Sequence, residues 1–373
     1  MRTSPIPSLM AESGQLPMEF AAALALINCA NRLAVGSISR ESYPTIRRAM
    51  IQYKKLTGYD LPPISRKLRA GSREWFTPRP CLDWSLEKKI PAGSSSSVAS
   101  QVFLAHIDEV YRNRKIYTDG SVDKNEAGCA YWSKKKSETY RLPDGCSAFS
   151  AEAFAIWKAL QRTVDPIEPT VIFTDSASSM RALEHGSCHP WIQRAEEFWH
   201  QVNVAICWVP GYSGIPGNEK ADELAAKGKK KSHPTTCIPV PREDVDRMVR
   251  HRIRQAWESS WRRSDKFLRE IKSTTMPWTG YGKPQEQRIL TRLRIGHTYL
   301  THGHLLEERE ANPCIFCGER MSVKHLLADC LGLTHAWSRY GICGTVEEIL
   351  APDRKAEEKV LNFLREMTLI DKI

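Results

Sequence analysis

Apolar and polar positions along the chain change their period twice, and the changes divide it. Residues 18–56 repeat their apolar positions at helical spacing, with Arg47, Arg48, Lys54 and Lys55 on the later part. Pro62-Pro63, Pro78 and Pro80 interrupt this pattern, and Ala92-Gly-Ser-Ser-Ser-Ser97 reads as a flexible linker. From Lys115 short β-prone runs alternate with turn residues: Lys115–Ser121, Gly128–Trp132 and Glu138–Leu142 read as three successive strands. Phe149, Ala153, Ile156, Trp157 and Leu160 then place a helix between Ser147 and Arg162. Val171–Asp175 is a buried-type strand opening into a helix at Ser176. A helix over Trp191–Val202, a strand over Ala205–Val209 and a helix over Gly217–Lys227 follow. This order predicts an α/β domain of about 115 residues with a mixed five-stranded sheet flanked by helices.

Beyond it, Gly228–Pro234 is a basic linker. Residues 243–271 read as one long basic amphipathic helix with Val245, Met248, Val249, Ala256, Trp257, Trp261, Leu268 and Ile271 near one stripe. That stripe is read as core, and the interleaved Arg247, Arg250, Arg254, Arg262, Arg263 and Arg269 as phosphate contacts. Residues 353–368 supply a last helix through Val360, Phe363, Leu364 and Met367. The expected organisation is a helical basic region 1–90, a Ser-rich linker 91–102, the α/β domain 103–228, a basic helical region 229–310, a Cys/His segment 311–335 and a helical tail 336–373.

Composition locates the charge. The 373 residues carry a net charge of +11, distributed as +6 over 1–113, −2 over 114–228, +8 over 229–310 and −1 over 311–373. A slightly acidic centre between basic flanks suits a protein that holds a phosphate backbone around a carboxylate site, though solvated helix faces give the same count. No apolar run reaches the roughly 18 residues that span a bilayer. Phe20–Ile27, preceded by Glu12 and Glu19, reads as a buried helix rather than a signal-peptide core. Eleven cysteines in irregular order do not form a disulfide framework, which points to an intracellular, reducing compartment; nucleus and cytoplasmic ribonucleoprotein are not distinguished.

Four acids fall at related places: Asp119 and Asp175 at the ends of predicted strands, Glu152 in the first helix of the domain and Asp222 in its last. Singly each has an ordinary reading, as a turn residue, an N-cap or an exposed helix charge. Together they change the picture, because open α/β sheets form sites at the carboxyl ends of their strands. Converging carboxylates repel unless divalent cations neutralise them, and hard oxygen donors suit Mg²⁺ or Mn²⁺. Two such ions about 3.5–4 Å apart are suited to phosphodiester cleavage.

Tyr117-Thr-Asp-Gly-Ser121, Ser150-Ala-Glu-Ala153, Phe173-Thr-Asp-Ser176 and Trp208-Val-Pro-Gly211, followed by Gly217-Asn-Glu-Lys-Ala-Asp222, resemble the type 1 ribonuclease H domain, in the version carried by polyproteins of non-LTR retrotransposons. The resemblance implies a ribonuclease H-like fold, with Asp119, Glu152, Asp175 and Asp222 holding two Mg²⁺ (or Mn²⁺) ions. It implies hydrolysis of the RNA strand of an RNA–DNA hybrid, leaving 5′-phosphates, with RNA selected through its 2′-hydroxyls. One position departs: where the family usually has a histidine in the loop before Ser-Gly, this chain has Tyr212. An imidazole moves protons near neutral pH and a phenol does so poorly, so slowed turnover is expected.

Cys314, Cys317, His325 and Cys330 form C-x2-C-x7-H-x4-C, a donor set for one structural Zn²⁺; free buried thiols are the alternative. His302, His304 and His335 lie outside that spacing. Residues 290–304 followed by this cluster resemble the C-terminal region of insect-type non-LTR elements, while the x7 spacing exceeds that of a retroviral zinc knuckle. Arg288, Arg292 and Arg294 are expected to track phosphates ahead of it. Residues 1–90 lack a polymerase aspartate pair and correspond by position to a reverse transcriptase thumb or connection. No Walker loop, H-E-x-x-H or nucleophile elbow is present. The competing reading is a nucleic-acid-binding module of the same fold with a weak or idle nuclease site. A transposase-like relative is disfavoured by the Gly217–Asp222 helix. Oligomeric state stays open, and no membrane partner is expected.

Overall fold

The computed structural model describes residues 4–35, 43–61, 64, 81–90, 93–111, 114–163, 169–199, 203–235, 239–311 and 313–373. Pro62-Pro63, Pro78, Pro80, Ala92 and Val202, named above, lie outside them. Packing divides the chain into two units, residues 26–250 and residues 1–25 with 251–373.

The first unit is built on one mixed sheet of six strands: β1 (Cys81–Asp83), β2 (Arg114–Asp123), β3 (Glu126–Trp132), β4 (Ser137–Leu142), β5 (Thr170–Thr174) and β6 (Val204–Trp208). Their order is β1-β6-β5-β2-β3-β4, with β1, β6, β5 and β2 parallel and β2, β3 and β4 an antiparallel meander. The five expected strands are all present, and β1 is an addition at the edge. Three residues emerging after a proline-rich stretch give no alternation to read.

Successive strand residues face opposite sides of a sheet. A Cβ on Gly120 would meet the backbone of Ala151 and Glu152, whereas one on Gly217 would meet the Tyr117 ring. The helix Ala148–Arg162 therefore covers one face and the helix Pro216–Lys229 the other. On the second face Tyr117, Phe173 and Cys207 pack with Ala99, Phe103, Ile107 and Ala221, and the Phe103 and Phe173 rings meet edge to face at 5.2 Å.

Phe103 and Ile107 belong to a helix, Ser96–Val110, that begins inside the expected linker. Ser95 caps it by accepting the Val98 N–H at 3.4 Å. Serines that read as flexible in composition act here as a helix start, which is the other common use of that residue.

The second unit is helical. Trp257, Trp261, Leu268, Ile271, Leu290 and Leu293 are buried, together with Leu326, Leu327, Val360, Phe363 and Leu364. The expected stripe over 243–271 is buried at Val245, Val249, Trp257, Trp261, Leu268 and Ile271, but the helix is not continuous: Arg242–Arg262 ends before a separate turn at Leu268–Ile271. The last helix runs Arg354–Glu366, capped by Asp353, which accepts the N–H groups of Lys355 and Ala356 at 3.0 Å. Among the described residues no helix is long and apolar enough to cross a membrane.

Candidate active site

Register places the first two acids. Thr118 of β2 pairs with Thr174 of β5 in parallel, so the residues that follow, Asp119 and Asp175, stand side by side at the same level of the sheet. The ordinary reading of each acid can now be checked against its surroundings. Asp119 lies within β2, not in a turn. The N-cap of the helix Ala177–His185 is Ser176, whose hydroxyl accepts the Ser179 N–H, and Asp175 is left for other use. Glu152 points inward from the helix Ala148–Arg162, where its Oε1 accepts the Gly120 N–H at 3.0 Å.

Carboxylate oxygens of Asp119, Glu152 and Asp175 all lie within 4.8 Å of one another. Asp222, half-buried on the helix Pro216–Lys229, stands outside that trio, and its charge bears on Asp119. Burial, followed by repulsion from Asp175 and Asp222, pushes the Asp119 carboxyl up to about 8. Burial and the charges of Asp119 and Asp175 drive Glu152 far above the ordinary carboxylate range, and the Gly120 N–H offsets only part of this. Asp175 is raised as well, by burial first, against a hydrogen bond from Asn218 that favours its ionised form.

Two buried oxygens, Asp119 Oδ2 and Glu152 Oε2, have no hydrogen-bond partner. Orphaned buried acceptors on mutually repelling carboxylates are what a hard divalent cation would satisfy, so the donor set fits Mg²⁺ or Mn²⁺.

Three supporting residues escaped the sequence reading. Asn218 donates its Nδ2–H to Asp175 Oδ2 at 3.2 Å; its place in Gly217-Asn-Glu-Lys-Ala-Asp222 was the available signal. Gly120 brings the strand within reach of the Glu152 helix. A Cβ on Gly211 would lie 2.8 Å from Asp175 Oδ2, so a larger residue in the loop after β6 would push the Asp175 carboxylate aside. Next to it Tyr212 is 90% exposed, with a left-handed backbone at φ 52°, and its carbonyl accepts the Ser96 hydroxyl at 3.4 Å.

The Cys/His segment gathers all four of its expected donors. Cys330 Sγ stands 3.8 Å from Cys314 Sγ and 3.7 Å from Cys317 Sγ, and Cys317 Sγ stands 3.1 Å from His325 Nε2. Two thiolates at about 2.3 Å from a tetrahedral zinc would be about 3.8 Å apart, so the sulfur spacing fits that ion. The turn Cys314–Gly318 positions the first pair, and a single π turn, His325–Asp329, presents the histidine. Burial disfavours the Cys314 thiolate, but the Phe316 and Cys317 amides and the His325 side chain bring the thiol down to about 7.

The three arginines expected on phosphate do not share a surface. Arg288 is exposed and Arg292 half-buried, but Arg294 is 1% exposed. Its guanidinium donates to Leu350 O at 3.0 Å, Ala351 O at 3.2 Å and Glu357 Oε1 at 2.9 Å. It is a core ion-pair residue, and its assignment to nucleic acid is corrected. Positions 288, 292 and 294 cannot all face one way on a helix that turns every 3.6 residues.

Comparison with known proteins places this arrangement. Residues 112–230 match the RNase H family. That span takes in β2 to β6, with Asp119 and Asp175 on or just after their strands, and the helices that carry Glu152 and Asp222, while β1 lies outside it. The chain is 31% identical over 124 residues to the Pol polyprotein of equine infectious anemia virus (strain Wyoming), and 30% identical over 124 residues to that of isolate 1369. Each match covers 32% of this chain and 11% of the viral protein, so the chain spans about a tenth of the length of these curated relatives.

Proposed function

We propose that the chain is a ribonuclease H that hydrolyses the RNA strand of RNA–DNA hybrids, that two divalent cations serve this reaction, and that the chain derives from a non-LTR retrotransposon. The observation that carries the reading is the carboxylate trio within 4.8 Å with its two orphaned buried oxygens. Asp119, Glu152 and Asp175, with Asp222 at the rim, would hold Mg²⁺ or Mn²⁺, which when bound supplies an activated water and charge stabilisation for the departing oxygen. The Gly120 N–H fixes Glu152, and Asn218 fixes the Asp175 carboxylate. Cys314, Cys317, His325 and Cys330 hold a structural Zn²⁺. The exposed arginines of 242–263, with Arg288 and Arg292, contact the nucleic-acid backbone.

Tyr212 favours a second reading, a hybrid-binding module with little turnover, because the exposed loop position offers a phenol where proton exchange calls for an imidazole. One assay separates the two. The full chain is incubated with end-labelled RNA–DNA hybrid, duplex DNA and duplex RNA in Mg²⁺. Cleavage confined to the RNA of the hybrid, leaving 5′-phosphates, supports the nuclease; retention of the hybrid in a gel shift without cleavage supports the module.

A further inference from the structure

A second cluster of metal-ligating side chains lies on the sheet, built from residues outside the carboxylate trio. Asp83 closes the edge strand β1, Cys207 is its register partner on β6, and His106 projects onto both from the helix Ser96–Val110. One ligand atom from each lies within 4.8 Å of the others. His106 and Cys207 are buried, whereas the Asp83 side chain keeps 17% of its surface, enough to give an ion a way in.

We propose that Asp83, His106 and Cys207 form a binding site for one borderline-soft divalent cation, Zn²⁺ being the one their chemistry fits best. Thiolate, imidazole and carboxylate together are zinc donors, while Mg²⁺ disfavours the first two. His106 Nε2 stands 3.1 Å from Asp83 Oδ2. Nitrogen and oxygen donors at about 2.0–2.1 Å from a tetrahedral zinc stand about 3.3 Å apart, so little movement is needed. Groups around the carboxylate already hold it in place: Asp83 Oδ1 accepts the Ser85 N–H at 2.8 Å and Oδ2 accepts the Tyr111 hydroxyl at 2.8 Å. Ser85 Oγ, 3.1 Å from His106 Nε2, or a water takes the fourth position.

Binding is an exchange of protons for the ion. The Cys207 thiol proton leaves to solvent, and the imidazole proton resides on Nδ1 so that Nε2 can ligate. Lys89, now 3.3 Å from Nδ1, turns its ammonium to Glu109, whose carboxylate is 3.6 Å away. The ion would fasten a three-residue edge strand, too short to hold itself, to β6 and to the helix that covers the sheet.

Zinc content of the full chain tests this, with the Cys/His segment as an independent arm. The chain purified from zinc-supplemented culture is compared with Cys207→Ser, Asp83→Asn and Cys317→Ser, each checked for folding by circular dichroism. Cys207→Ser and Asp83→Asn each lose one zinc per chain relative to the parent, whatever Cys317→Ser loses. Asp83→Asn keeps the shape of the side chain should Cys207→Ser fail to fold. In cobalt-loaded Cys317→Ser a thiolate-to-metal absorption band remains, and adding His106→Gln removes it. Zinc content unchanged in Cys207→Ser and Asp83→Asn, or no cobalt band assignable to Cys207, would overturn the site and leave a hydrogen-bonded network.

Discussion

Residues decide the site through their surroundings rather than their type. Asp119 and Asp175 were legible because each ends a run that reads as a strand, and register then does the rest. Asn218 and Gly211 were not, because an amide and a glycine carry no chemistry until a carboxylate is seen beside them. Arg294 was misread because an arginine count along a helix ignores which face is buried. It predicts its own test: Arg294→Ala leaves Glu357, 3% exposed, without its cation, with only the Tyr281 N–H and the Gln287 amide donating to it. Chemical denaturation should show a loss on the order of 3–5 kcal/mol. Arg288→Ala instead leaves stability unchanged and weakens hybrid binding, with a shallower salt dependence in filter-binding assays.

At Tyr212, replacement by histidine should raise the cleavage rate in steady-state assays; an unchanged rate would remove the loop from the slow step. Gly211→Ala should lower it by displacing Asp175. His189 gives a pH dependence. Its Nε2 is 3.0 Å from the Ser150 hydroxyl, and burial pushes the imidazole down to about 4, against weaker upward pulls from Asp244 and Glu243. The unfolded chain takes up that proton near 6.5, before the folded one does, so the stability this neutral histidine contributes is complete above pH 6.5 and is lost as pH falls toward 4. Melting curves should show a steeper loss between those pH values for the parent than for His189→Gln.

Elements were read from the sequence where a period ran long enough. The meander β2–β3–β4 and the helices Ala148–Arg162 and Pro216–Lys229 follow their patterns to within a few residues. β1 escaped because three residues have no period, and the start of the helix Ser96–Val110 because serine serves both linkers and caps. The Asp83–His106–Cys207 cluster escaped for a related reason: its members come from three elements, one of them unseen. Caps are testable element by element. Asp353→Ala removes the acceptor for two N–H groups at the start of Arg354–Glu366 and should cost about 1 kcal/mol in urea unfolding.

At the scale of the molecule, an acidic site sits on a chain whose net charge is +11. Backbone and amide donors hold the repelling carboxylates in the sheet, and on the proposed reading cations complete them. The proposed nuclease activity would therefore depend on those acids and not on the fold alone. The most direct measurement is Mg²⁺-dependent cleavage of a labelled RNA–DNA hybrid by the full chain beside Asp119→Asn. The account predicts cleavage of the RNA strand that disappears with chelator and falls on the order of a hundredfold or more in the variant. Cleavage that persists undiminished in Asp119→Asn would contradict it.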